Sequence, residues 1–177
     1  MTSYVLGGGC FWCLDAVYRG IQGVTKVESG YSGGTLLDAP NYYQVATGTT
    51  GFAEAVRIVF DETIIPADVI LAIYFLIHDP TTLNRQGADK GTQYRSIMFY
   101  DDDTQKEAFE TARDRAQQIW NDPIVTEITP LDIFYVAEEE HQDYFNKNPE
   151  AGYCSIVIAP KVTKARKAYA KWFKEEE

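Results

Sequence analysis

The run GGGCFWC sets two thiols, Cys10 and Cys13, three positions apart, with three glycines before them and two large aromatics between them. A thiolate is a strong nucleophile, and a cysteine becomes reactive where backbone N–H groups or positive charge favour its ionised form. Ser3 to Leu6 has the pattern of a short strand, and Phe11, Leu14 and Val17 recur every three residues. The spacing therefore predicts a strand, a glycine turn and a helix that opens at Cys10. Cys10 then faces the free N–H groups and positive dipole end of that helix. Cys13, one helical turn later, completes the spacing of a dithiol redox pair.

A zinc site needs more ligands, and this chain has no second CxxC and only two histidines, His78 and His141, neither with a neighbouring ligand at useful spacing. Both histidines are read as fixing loops. Phe11 and Trp12 would obstruct a protein disulfide but suit a pocket for a small apolar group, with core packing as the competing use of either ring. Farther on, EAVRIVF alternates, so Glu54 shares a strand face with Val56, Ile58 and Phe60. Desolvation on such a face raises a carboxyl's pKa and lets it hold a proton near neutral pH, as a general acid must. The third cysteine, Cys154, precedes SIVIAP, which reads as a buried strand where a free thiol is inert packing.

The elements that must position these groups follow from the same patterns. Strands are expected at Val24 to Tyr31, Glu54 to Phe60, Ser96 to Tyr100, Asp132 to Val136 and Ser155 to Ala159. A short helical or looped stretch is expected around NYYQV. Pro66 opens a helix with Val69, Ile70, Ile73 and Leu76 as its apolar stripe. Another helix runs from Thr104 to Trp120, with Thr104 and Glu107 as a capping box and Phe109, Ala112, Ala116 and Ile119 facing inward. Glu138 to Asn146 and the basic end of the chain are read as further helices. The polar loop from His78 to Arg95 has the length of a functional loop. The order is neither strictly alternating nor repetitive, which gives an α+β class with helices packed on a mixed sheet.

At 177 residues and 45% hydrophobic content the chain fits one domain, 1–177. Its net charge of -10 opposes nucleic-acid binding. Six basic residues against three Glu gather in residues 161–177, which is read as a solvated helix face. No apolar run has the length of a membrane span and the start lacks a secretory signal pattern, so a cytoplasmic protein is expected, outside the membrane. Three cysteines are too few for a secreted disulfide framework.

GGGCFWC resembles the nucleophile motif of the A-type peptide methionine sulfoxide reductases, and later motifs fall in that family's order. PNYYQV at 40–45 is similar to its tyrosine segment, TGFAEAV at 50–56 to its Gly-His-Ala-Glu segment, and HDPTTLNRQGADKGTQYRS at 78–96 to its longest signature. HQDYFNKNP at 141–149 and GYC at 152–154 extend the resemblance over nearly the whole chain.

The resemblance implies a two-layer, ferredoxin-like sandwich and reduction of the S epimer of free and protein-bound methionine sulfoxide. Cys10 is then the nucleophile, passing through a sulfenic acid and an intramolecular disulfide. Phe11 and Trp12 form the methyl pocket, Glu54, Tyr42 and Tyr94 surround the sulfoxide oxygen, and Asp89 orders the site. Cys13 is favoured as the resolving thiol, with Cys154 as the alternative. Thioredoxin is the implied reductant, no metal or organic cofactor is implied, and a monomer is expected. From residues alone, a general thiol–disulfide oxidoreductase using Cys10 and Cys13 competes, as does a non-catalytic peptide-binding module. Asp15, Phe52 and Glu140 depart from the family's usual Glu, His and Tyr, and Phe52 puts the hydrogen bonding around Glu54 in question.

Overall fold

The computed structural model describes residues 1–35 and 38–175. Strand β1 (Thr2–Gly7) leads through the glycine turn into helix α1 (Phe11–Arg19), followed by strand β2 (Val24–Ser32), the short helix α2 (Tyr42–Ala46), strand β3 (Ala53–Phe60) and helix α3 (Ala67–Ile77). A small hairpin of β4 (Arg85–Gln86) and β5 (Asp89–Lys90) and a 3-10 turn at Thr92–Tyr94 precede β6 (Ile97–Tyr100) and α4 (Asp103–Gln117). Strands β7 (Glu127–Pro130) and β8 (Tyr135–Val136), helix α5 (Tyr144–Lys147) and helix α6 (Ala159–Ala168) complete the order.

The main sheet runs β7-β6-β1-β3-β2-β8, antiparallel throughout except for the parallel β6–β7 pair. Alternation along the central strands divides them between two faces. Tyr4, Leu6, Val56, Ile58 and Phe60 join Phe11, Leu14, Val17 and Tyr18 of α1, Ile70 and Ile73 of α3 and Phe109 of α4 in the main core. On the other face Val5, Ala53, Ala55, Ile97 and Phe99 are covered by Leu131 and Phe134. Each large apolar side chain in the main core contributes roughly 1.5–3 kcal/mol by leaving water. The result is the expected α+β arrangement of helices on a mixed sheet.

The centre of the sheet agrees with the sequence patterns, and the periphery corrects several of them. Only Tyr135 and Val136 of the expected strand at Asp132 to Val136 pair with β2, because the residues before them fold over the second face of the sheet. The parallel edge strand β7 was unforeseen, and its terminal Pro130 is tolerated where no further strand needs its missing N–H. The helix expected over Glu138 to Asn146 is two pieces, a 3-10 turn at Glu139–His141 and α5, separated by Asp143 in the left-handed region at φ 54°.

Ser155 to Ala159 is no strand. Cys154–Ile158 is a π-helical turn that runs directly into α6. Its run of β-branched residues suggested a strand, yet Cys154, Ile158 and Ala165 are buried at helical spacing while Ile156 is 76% exposed. Helix α4 is capped two residues earlier than expected, the Asp102 carboxylate accepting the Gln105 N–H at 2.8 Å. It ends at Gln117, which leaves Ile119 outside the core at 81% exposure.

Candidate active site

Cys10 is the N-cap of α1, with extended backbone at φ -65° and ψ 129°. The turn that delivers it depends on two glycines. A Cβ at Gly8 would lie 2.8 Å from the buried ring of His78, and Gly9 has φ +83°. His78 is wedged there by contacts of Nδ1 with the Tyr74 carbonyl at 2.5 Å and Nε2 with Ser96 Oγ at 2.8 Å. Burial pushes its pKa down to about 4, so it is neutral and structural, as the sequence suggested. The Gly9 N–H donates to the carbonyl of Tyr94 at 3.1 Å, tying the nucleophile turn to the 3-10 turn that carries Tyr94.

Strand β3 brings Glu54 under the start of α1. It is 1% exposed, and its Oε1 accepts the Phe11 N–H at 3.1 Å. Burial raises its carboxyl from 4.5 to about 8, the Phe11 N–H opposing this and the Asp89 charge adding to it. A proton therefore resides on Glu54 at neutral pH, the state a general acid needs.

The same surroundings correct the expectation for Cys10. Its thiol is raised well above the ordinary value by burial, then by Glu54 and Cys13, against weaker help from the Trp12 N–H and the Tyr153 hydroxyl. The helix start is less activating than its position suggested because one of its N–H groups is engaged by Glu54. At rest the pair is a neutral thiol beside a protonated acid.

Aromatic residues enclose this pair. Tyr42 is positioned by α2, whose N-cap Asn41 and Gln44 form a capping box, and by its own N–H donating to Glu138 Oε2 at 3.1 Å. Its ring lies 6.4 Å from Phe11 and 4.3 Å from His141. Burial and the neighbouring Glu54, Cys10 and Asp89 push its hydroxyl up to about 12, and the same groups raise Tyr94. Both phenols thus keep their protons and can donate.

Phe11 and Trp12 take different parts. Phe11 is fully enclosed between Tyr31 and Tyr42, so it backs the pocket, whereas Trp12 is half-buried and presents a wall. The Trp12 ring stacks on Tyr144 with centroids 3.6 Å apart, and its indole N–H donates to His141 Nδ1 at 3.2 Å.

The structure thus gathers Cys10, Cys13, Phe11, Trp12, Tyr42, Glu54, Asp89 and Tyr94. Cys13 is enclosed in the first turn of α1, and Cys154 is buried in the π turn that packs against α1. Burial raises both thiols. Cys13, and not Cys154, is among the groups acting on Cys10.

Sequence reasoning passed over Tyr153. Its hydroxyl donates to Asp89 Oδ2 at 2.7 Å, and it opposes the rise of both the Cys10 and the Cys13 thiol. The signal was present in GYC, where attention to Cys154 bypassed its neighbour. His141 also does more than fix a loop, since it holds the Trp12 indole.

The three departures have local explanations. Asp15 is buried, paired with Arg19, and accepts from Ser29 Oγ at 3.3 Å and the Asp143 N–H at 2.9 Å. Phe52 packs edge-on against Tyr135, leaving the Phe11 N–H as the hydrogen bond to Glu54 among the described residues. Glu140 is exposed, 3.9 Å from His141 Nε2, and with Glu138 forms a cluster of metal-ligand type. His141 accepts the indole proton on Nδ1, so its neutral ring carries hydrogen on Nε2 and faces the carboxylates as a donor. That tautomer does not fit a metal ligand.

A cavity of about 800 Å³ lies between α3, α4 and α6, and none of the gathered residues lines it. A smaller one of about 380 Å³ shares Asp89 and Tyr153 with the site.

The family described as peptide methionine sulfoxide reductase matches residues 2–173. Peptide methionine sulfoxide reductase MsrA of Pseudarthrobacter chlorophenolicus is 60% identical over 172 residues, covering 97% of this chain and 98% of its own. Among solved structures, Mxr1 from Saccharomyces cerevisiae in reduced form superposes with a TM-score of 0.82 at 35% identity, covering 86% of this chain and 88% of its own. Methionine sulfoxide reductase A of Corynebacterium diphtheriae superposes with a TM-score of 0.75 at 32% identity, covering 84% and 76%.

Proposed function

The chain belongs to the peptide methionine sulfoxide reductase family and is an A-type reductase of methionine sulfoxide, and we propose that it works through a Cys10 sulfenic acid resolved by Cys13. The observation that carries this reading is the pairing of an N-cap thiol with a buried carboxyl that keeps its proton to about pH 8.

Substrate enters with its S-methyl against Trp12, backed by Phe11, and its oxygen toward Glu54, Tyr42 and Tyr94. The Cys10 sulfur attacks the sulfoxide sulfur as Glu54 protonates the sulfoxide oxygen, since an unprotonated oxide departs poorly from the substrate sulfur. The two tyrosine hydroxyls donate to the oxygen as charge develops on it. The thiol proton returns to Glu54, the hydroxyl moves from the substrate sulfur to the Cys10 sulfur as the sulfur–sulfur bond of the adduct breaks, and methionine is released with Cys10 left as sulfenic acid.

Cys13 then attacks that sulfur, giving a disulfide and water. The place of both thiols at the start of one helix, with Cys13 acting on Cys10, favours Cys13 over Cys154 as the first partner. A dithiol protein of the thioredoxin kind restores both thiols, and the physiological role is repair of oxidised proteins together with reduction of free methionine sulfoxide. The enclosure of both thiols argues against a general oxidoreductase acting on protein disulfides. Among the described residues no helix is long and apolar enough to cross a membrane.

The test is incubation of the protein with each epimer of a methionine sulfoxide peptide and dithiothreitol, followed by product analysis. Reduction of the S epimer alone is expected. Equal rates on both epimers would contradict a site in which methyl and oxygen have separate partners.

A further inference from the structure

The chain from Ala137 to Gln142 is fastened to β2 at both ends through one residue, Ser29. The Ala137 N–H donates to the Ser29 carbonyl at 2.9 Å, while the Gln142 side chain accepts the Ser29 N–H at 2.8 Å and donates to its carbonyl at 2.9 Å. Between these ties stands Glu138, whose own carbonyl accepts the His141 N–H at 3.0 Å and closes the 3-10 turn. Its carboxylate, carried on a fixed loop, reaches three groups. Oε1 accepts the Tyr31 hydroxyl at 3.1 Å, Oε2 accepts the Tyr42 N–H at 3.1 Å, and Oε2 lies 3.8 Å from His141 Nε2.

Each of the three leads to a different wall of the pocket. Tyr31 is fully buried, lies opposite Glu54 in the β2–β3 pairing and packs on Phe11 with ring centroids 5.7 Å apart. His141 holds the Trp12 indole through Nδ1 at 3.2 Å, which requires its hydrogen to stay on Nε2, toward the carboxylate. Tyr42 opens α2, which at five residues is too short to stand alone. The far end of α2 is held by Gln93, whose side-chain N–H donates to the Ala46 carbonyl at 3.3 Å, and the turn after it by Thr92 Oγ1, which donates to the Gly48 carbonyl at 3.1 Å. Glu138 supplies the tie at the end that carries Tyr42.

We propose that Glu138 is a positioning residue that fixes the epimer preference, one carboxylate setting the separation between the methyl wall of Phe11 and Trp12 and the oxygen-side donor Tyr42. The inference rests on the reading of those residues as the partners of the sulfoxide methyl and oxygen. The two epimers carry the same groups on sulfur and differ in their arrangement around it. A site rejects one of them only while the methyl and oxygen partners keep their places together. Glu138 acts through Tyr31, Tyr42 and His141 and is not itself a partner of the sulfoxide.

Loss of the carboxylate frees both sides at once. Because misplacement by about 1 Å can cost about 10²-fold in rate, Glu138→Ala should lower kcat/KM for the S epimer by roughly 10- to 10²-fold. The R epimer fits the intact pocket poorly and has less to lose, so most of that loss should appear in the S-to-R ratio. A smaller folded fraction scales both epimers alike and leaves KM unchanged, so a merely structural defect moves neither the ratio nor KM. Glu138→Gln is the conservative variant. Its side-chain oxygen can accept the Tyr42 N–H and its amide can donate to the Tyr31 oxygen, which keeps both ties without the charge.

The experiment measures kcat and KM for the separate S and R epimers of a methionine sulfoxide peptide, with dithiothreitol as reductant, in wild type, Glu138→Ala, Glu138→Gln and Tyr31→Phe. High enzyme concentration and long incubation bring slow R turnover into range. The expected result is a strong S preference in wild type, a raised KM and a reduced S-to-R ratio in Glu138→Ala, and recovery of most of both in Glu138→Gln. Tyr31→Phe removes a single hydroxyl and keeps the ring, so it tests the same tie if Glu138→Ala does not fold, and it should move KM and the ratio in the same direction by a smaller factor. A wild-type KM and ratio in folded Glu138→Ala, or in Tyr31→Phe where that protein alone folds, would overturn the role of Glu138 and leave the pocket standing. A loss in Glu138→Gln as deep as in Glu138→Ala would overturn it too. Equal rates on both epimers in wild type would overturn the pocket and this role with it.

Discussion

Glu54 on β3 accepts the N–H of Phe11 at 3.1 Å, so the buried carboxyl caps the helix whose N-cap is the nucleophile. The contact places acid and thiol one residue apart in space although 43 residues separate the bonded pair in sequence. It uses a helix-terminal donor to hold a group that must stay protonated, and the cost is a desolvated acid in the core.

Glu54→Gln should retain the fold, because a Gln side-chain oxygen can accept the same N–H. Sulfenic acid formation should slow by roughly 10²-fold or more, the scale of lost general acid catalysis. In wild type the protonated acid is the active form, so the first step should weaken as pH rises through about 8, and Glu54→Gln should lack that limb. Rapid-quench measurement of methionine release from pH 6 to 10 checks both. An unchanged single-turnover rate would demote Glu54 to a structural residue.

The same substitution should stabilise the protein. Between 4.5 and about 8 the folded state holds a proton that the unfolded chain has lost, so stability falls as pH rises through that window. Gln removes this penalty. Urea midpoints should favour Glu54→Gln by about 1–3 kcal/mol at pH 7, with the gap closing toward pH 4. A gap that did not depend on pH would mean that Glu54 is ionised when folded.

What was legible in the sequence divides along physical lines. The glycine turn, α1, β2 and β3 were readable because each has one apolar face at a clean period and a glycine, proline or cap at its end. Cys10 and Glu54 inherited their positions from those elements, whereas Tyr42 on α2 and Tyr94 on the 3-10 turn were found only through their motifs. The region after α4 was not readable, because its structure is set by partners distant in the chain. The Asp143 N–H binds Asp15, and the β-branched run at 156–158 coils because helix packing and not a sheet edge receives it. Tyr153 stands at the start of that coil, where it meets Asp89.

Tyr42→Phe and Tyr94→Phe probe the oxygen side of the pocket. Each hydroxyl can donate to the sulfoxide oxygen, so each single variant should retain part of the rate and the double variant should fall by roughly 10²-fold or more. The fall should appear in the first step and spare disulfide formation. Additivity of the two singles in a double-mutant cycle would mean that the hydroxyls do not share one oxygen.

Asp15→Ala removes a buried carboxylate that holds Arg19, Ser29 and the Asp143 N–H. With Arg19 partly exposed, the cost should be about 2–3 kcal/mol in a denaturant titration. Asp143 immediately precedes α5, which carries Tyr144 onto Trp12. KM should therefore rise more than kcat falls. A stability loss without any change in KM would show that the Trp12 wall stands independently of Asp15.

Cys13→Ser and Cys154→Ser separate the two candidate resolving thiols. Both sulfurs are enclosed, but Cys13 lies in the first turn of the helix that Cys10 caps and acts on it, whereas Cys154 is held in the π turn among core side chains. A disulfide between Cys10 and Cys13 requires unwinding of the first turn of α1 only, while Cys154 must leave its packed turn. Cys13→Ser should stop the cycle after one methionine is released, leaving Cys10 as sulfenic acid that a dimedone probe captures. Cys154→Ser should keep thioredoxin-dependent turnover within about twofold and lose about 1–2 kcal/mol of stability, since it buries a hydroxyl among apolar neighbours. Steady-state assays with thioredoxin and mass mapping after one equivalent of substrate decide the matter. Full turnover by Cys13→Ser with a Cys10–Cys154 bond as the first disulfide in wild type would reverse the assignment, and the π turn would then be the element that moves.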